Sequence, residues 1–187
     1  MSRWEPNAPA RLAQAAMELY AEAGYEETTV ARIAERAGLS ERTFFRHFAD
    51  KREVLFAGSS ELQDLLVGSV AAAPTSASPM QVVSAALQDA AGWFVDRRDF
   101  ARARQAVVSS HAALTERELI KMARLATALA KALRERGVEE PAASLTAEAG
   151  VAVFRVAFER WVAPNERRSL AEIIDESMTE LRTITSS

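Results

Sequence analysis

Glu41, Arg42, Phe45 and Arg46 fall on one side of a short helical stretch, where a carboxylate, two guanidiniums and an aromatic ring share a face. Its guanidiniums can donate hydrogen bonds to a polyanion and its ring can touch flat or methylated surfaces, which makes this face a candidate reading surface. Phe44 and Phe48, one turn apart, fall on a different side and are suited to burial. Between Ser40 and Arg52 the bases Arg42, Arg46, Lys51 and Arg52 outnumber the acids Glu41 and Asp50. The whole chain carries a net charge of −3, against the overall basic balance common in nucleic-acid binders. A small basic footprint, doubled in a dimer, reconciles the two.

The elements that hold this face can be read residue by residue. Thr28 and Thr29 offer hydroxyls to free N–H groups at a helix start, and Val30, Ile33, Ala34 and Ala37 follow at helical spacing. Gly38 supplies the exit from that helix, Leu39 turns inward, and Ser40 is placed to cap the next one. Asp50 followed by Glu53 has the spacing of a capping box, so a new helix is predicted from Lys51. Upstream, a helix starts near Pro9 and carries Leu12, Ala16, Leu19 and Tyr20 inward before Gly24 ends it. Three helices with a short glycine-containing turn between the second and third make a helix-turn-helix unit over residues 1–50.

Residues 51–187 read as a larger helical domain. A helix from Lys51 to about Ala73 is followed by the proline-flanked connector PTSASP, and two further helices are separated by the polar break DRRD. Thr115 with Glu118 predicts another capped helix, which Gly137 ends. The last two helices are more apolar than one buried face requires. Val151, Phe154, Phe158 and Trp161 form one stripe, Gly150, Val153 and Ala157 a second of small side chains, and Leu170, Ile174, Met178, Leu181 and Ile184 a seam behind the Ser169–Glu172 capping box. Homodimerisation through this pair is the expectation. Trp93, Phe94, Phe100, Met122, Phe154 and Phe158 have the aromatic and thioether surface to line a site for an apolar or amphipathic small molecule, although any helical core would contain such residues. Arg97, Arg98, Arg102 and Arg104 gather near one helix junction and could attract an acidic ligand such as an acyl thioester.

Other classes are disfavoured. Cysteine is absent and the only histidines are His47 and His111, so neither a metal site nor another cofactor is expected. The segment MSRWEPNAP has no apolar core of signal-peptide length, and no apolar run reaches the roughly 20 residues of a membrane span, which predicts a soluble cytoplasmic protein. No nucleophile elbow or phosphate-binding loop is present, and the adjacent Ser110 and His111 lack an orienting carboxylate motif; an enzyme is not expected.

From about Arg11 to Phe56 the chain, with the run AAMELYAEAGYEETTVARIAERAGLSERTFFRHFADKREVLF over residues 15–56, closely resembles the DNA-binding domain of the TetR family of bacterial transcription regulators. The resemblance implies an all-α chain with an N-terminal helix-turn-helix domain and a larger ligand-binding and dimerisation domain. It implies a homodimeric repressor on a palindromic double-stranded operator, released by a small-molecule effector; an activator or a ligand-independent regulator is the alternative. By position, Thr29, Thr43, His47 and Lys51 match phosphate contacts, while Ser40, Glu41 and Arg42 sit where bases are approached. Family members commonly carry tyrosine at the position of Phe45, so this chain lacks that hydroxyl; Phe45 is left to touch a thymine methyl, a sugar edge or its aromatic neighbours.

Overall fold

The computed structural model describes residues 8–186, and among these every regular element is helical. The helices are α1 Ala8–Ala23, α2 Val30–Arg36, α3 Glu41–His47, α4 Lys51–Val54, α5 Ser59–Ala72, α6 Pro79–Trp93, α7 Arg98–Ser109, α8 Ala112–Glu135, α9 Ala142–Trp161 and α10 Leu170–Thr185. The expectation about the chain's first residues falls mostly outside the described range. None of the described helices is long and apolar enough to cross a membrane. The chain forms two compact units: one holds the residues up to Ser59 with Ala103–Thr115, the other Ser60–Arg102 and the chain from Glu116 onward.

The first unit is built on Leu12, Ala16, Leu19, Ile33 and Phe44, all essentially inaccessible to solvent, with Phe48, Val54, Leu55 and Phe56 around them. Val108 and Leu114 join this core from the second stretch of chain. Its helix ends follow the sequence closely. Thr29 accepts from the Arg32 N–H, Ser40 from the Thr43 N–H, and Gly24 and Gly38 take φ of +83° and +65°, where a side chain would be strained. One helix is shorter than expected. The stretch from Lys51 to Ala73 is broken after Val54, and Gly58, at φ +84°, starts the chain in a new direction before α5.

The second unit packs α6, α9 and α10 together around Leu66, Val83, Ala86, Leu87, Leu129, Ala147, Ile173 and Ile174. Ser78 and Gln81 form a reciprocal capping box ahead of Pro79, and Ser169 and Glu172 form the predicted one ahead of α10. The box expected at Thr115 does not exist: α8 begins at Ala112, and the Thr115 hydroxyl instead donates to the Val108 carbonyl.

The two stripes of α9 also need correction, because both are filled within the chain. A Cβ built on Gly150 would lie 2.3 Å from Cγ1 of the fully buried Val83. The small-residue stripe is therefore the seat of α6. Gly150→Val is expected to lower the stability of this unit by about 1–3 kcal/mol, since Val83 is itself stiff and cannot rotate away from a second branched side chain; chemical unfolding followed by circular dichroism measures it. What α9 leaves exposed is a different stripe, Leu145, Ala152 and Val156, and α10 leaves Ile184.

Candidate nucleic-acid interface

α3 has two faces with opposite fates. Phe44 is completely buried, with its ring 5.5 Å from Phe45 and 5.6 Å from Phe48. Glu41, Arg42, Phe45, Arg46 and His47 are exposed, Phe45 by 54%. A ring exposed to this extent is available for contact, whereas its buried neighbour serves packing. Phe45 leans edge-on against Phe44 yet keeps more than half its surface exposed.

The sequence-identified hydroxyls lie at the starts of the two helices. Thr29 is exposed at the α2 N-terminus, Ser40 is exposed at the α3 N-terminus, and the Thr43 hydroxyl lies 3.0 Å from that of Ser40. Arg46 donates from its guanidinium to His47 Nε2 at 3.4 Å, so the two side chains lie together at the end of the helix. Behind them, Asp50 accepts from the Arg52 and Glu53 N–H groups and pairs with the Arg52 side chain, which draws its carboxyl below the usual carboxylate range.

Lys51 departs from the expectation of a phosphate contact. Its ammonium donates to the carbonyls of Tyr25 at 2.8 Å, Glu26 at 3.0 Å and Thr28 at 3.0 Å, and lies 4.4 Å from the centre of the Tyr25 ring. A lysine has three N–H groups, and all three are taken. Nothing in the local sequence signals this, because the partners lie more than twenty positions upstream. The buried Tyr20 hydroxyl donates to the Lys51 carbonyl at 2.8 Å, and burial pushes its pKa well above the ordinary tyrosine value.

In the second unit the candidate ligand residues separate. Phe94 stands at the centre of a ring cluster, 4.8 Å from Trp93, 6.1 Å from Phe154, 5.4 Å from Phe158 and 5.8 Å from Trp161, a residue the sequence assigned only to a packing stripe. Phe100 is 39% exposed and Met122 is half-buried against the core; neither belongs to this cluster of rings. The arginines are structural. Arg98 donates to the carbonyls of Trp161 and Arg168, and Arg102 to those of Val162 and Ala163, so both guanidiniums satisfy the carbonyl-rich end of α9. Arg104 donates to the Leu55 carbonyl and covers Phe56 within the first unit, while Arg97 lies 3.9 Å from the Trp93 ring centre. They do not form an anion cradle. His111, in the turn between α7 and α8, donates from Nδ1 to the Val107 carbonyl beside the Ser110 hydroxyl, and its ring lies tilted 4.9 Å from that of Tyr25.

Comparison with known proteins decides what this arrangement belongs to. The family description "Bacterial regulatory proteins, tetR family" matches residues 12–57, and "MftR C-terminal domain" matches residues 77–185, more than half of the chain. The chain belongs to the TetR family. Members of this family are transcription regulators that bind DNA operators, respond to small-molecule effectors and act as dimers, and they are typically not enzymes. The chain is 38% identical over 82 residues to the HTH-type transcriptional regulator TcmR of Streptomyces glaucescens, a match covering 44% of this chain and 36% of that protein. The Thermus thermophilus FadR, a TetR-family repressor solved with lauroyl-CoA, is 25% identical with a TM-score of 0.59, covering 93% of both chains. The Bacillus subtilis FadR, solved with stearoyl-CoA, shares the fold at 17% identity and a TM-score of 0.66, covering 92% of this chain and 96% of that one.

Proposed function

We propose that this TetR-family protein is a cytoplasmic, homodimeric repressor that grips a palindromic operator with α3 and releases it when an apolar or amphipathic small molecule enters the second unit. The observation that carries the reading is the two-faced α3: Phe44 anchors it, and Arg42, Phe45, Arg46 and His47 are exposed along its other side, behind an N-terminus capped by Ser40. DNA binding is assigned to residues 1–50, and effector binding and dimerisation to 51–187. Thr29, Thr43 and His47 position the protein on phosphates, while Ser40, Glu41, Arg42 and Phe45 approach the bases and Arg46 stays near the backbone. The dimer face is the exposed stripe of Leu145, Ala152 and Val156 on α9 with Ile184 on α10.

For the effector, the ring cluster around Phe94 offers an apolar wall, with Trp93, Phe154 and Phe158 beside it. The bound acyl thioester of the Thermus FadR makes long-chain acyl-CoA the first class to try. The test is fluorescence anisotropy of a bound duplex, taken from genomic fragments that the protein itself retains, during titration with lauroyl-CoA, lauric acid or coenzyme A. Release by lauroyl-CoA alone supports a thioester effector, and release by lauric acid as well supports a simple amphiphile. Persistent binding with all three rejects the acyl class.

A further inference from the structure

We propose that Lys51 is a positioning residue of the DNA-binding reaction, a clip that fixes the start of α2 against the end of the recognition helix without itself touching DNA. The proposal rests on the reading of α3 as the recognition helix. The three carbonyls that Lys51 binds, Tyr25, Glu26 and Thr28, belong to the loop that joins α1 to α2, and the next residue is Thr29, the α2 cap. That loop converges by its own bonds: the Thr28 hydroxyl donates to the Gly24 carbonyl and the Thr28 N–H to the Tyr25 carbonyl. Its carbonyl oxygens therefore point inward to one spot, which a compact ammonium fills. Lys51 follows α3 by only the Phe48–Asp50 turn, and its own carbonyl is fixed by Tyr20 of α1. One side chain thus joins the two outer ends of the helix-turn-helix. The spacing between Thr29 and Arg42, and so the register of phosphate and base contacts, depends on it.

Arginine and methionine separate this from a phosphate contact. A guanidinium keeps the charge and serves a phosphate as well as lysine does, but its planar fork cannot meet three converging carbonyls. Wild type, K51R, K51M and R42A are measured at a temperature where circular dichroism shows each folded, using a duplex recovered by the wild type from genomic DNA and a random duplex of equal length. For both K51R and K51M the account predicts a loss on the order of tenfold or more on the recovered duplex, with little change on the random one and an unchanged salt slope. Wild-type affinity in K51R, with K51M lowering the slope by about one unit and weakening both duplexes alike, would make Lys51 a phosphate contact. Equal loss on both duplexes at an unchanged slope would leave Lys51 only a folding role and overturn the proposal. If the wild type recovers no sequence, the recognition-helix reading fails first, independently of Lys51.

Discussion

Phe44→Ala removes DNA binding by unfolding the unit that carries it, whereas Phe45→Ala, one residue along, leaves that unit folded. Phe44 is wholly inaccessible and wedged between Phe45, Phe48 and the α1–α2 core, so its truncation leaves a cavity where no neighbour can follow. Losing a buried phenylalanine costs about 3–5 kcal/mol, a large part of the stability of a small helical unit. Phe45 already keeps 54% of its surface in water, and its truncation falls within the small range of surface substitutions. Urea unfolding followed by circular dichroism should show an early loss of part of the helix signal for Phe44→Ala, while the second unit, with its separate core, melts as before. Equal stabilities for the two variants would mean that α3 does not present the faces described.

Arg42→Ala is expected to change what the protein selects more than whether it folds. Arg42 is exposed on the first turn of α3, the end that approaches base edges when a recognition helix enters the major groove. A bidentate arginine on guanine O6 and N7 contributes about 1–3 kcal/mol of discrimination, so selectivity at one base pair in each half-site should fall by roughly 5- to 150-fold. Binding of the variant to a set of single-base operator variants measures this directly. A uniform loss at every position would reassign Arg42 to the phosphate backbone.

The helix-turn-helix was legible because its determinants are local. Thr29, Gly38, Ser40 and Asp50 act within three or four residues of themselves, and the inward and outward sides of α3 follow from helical spacing alone. What spacing does not reveal is where a long side chain goes. Lys51 and the arginines of α7 look alike in sequence, as solvated charges near other charges. In the structure they reach carbonyls: Lys51 those of the loop before α2, Arg98 and Arg102 those at the end of α9. The same limit explains α9. Its apolar breadth correctly signalled more than one buried face, but the small stripe at Gly150 receives Val83 of α6 rather than a second subunit. Thr115 shows the converse, a correct local motif overruled when α8 starts one turn earlier and the hydroxyl finds Val108.

The most direct test of the account is selection of fragmented genomic DNA by the purified dimer, stripped of small molecules by extraction over a lipid-binding resin, at moderate salt. Sequencing of the retained fragments should show an inverted repeat whose half-site centres lie about 34–36 Å apart, one helical turn, as two α3 helices in successive major grooves require. Retention of fragments in proportion to their input, by a folded dimer free of effector, would contradict it.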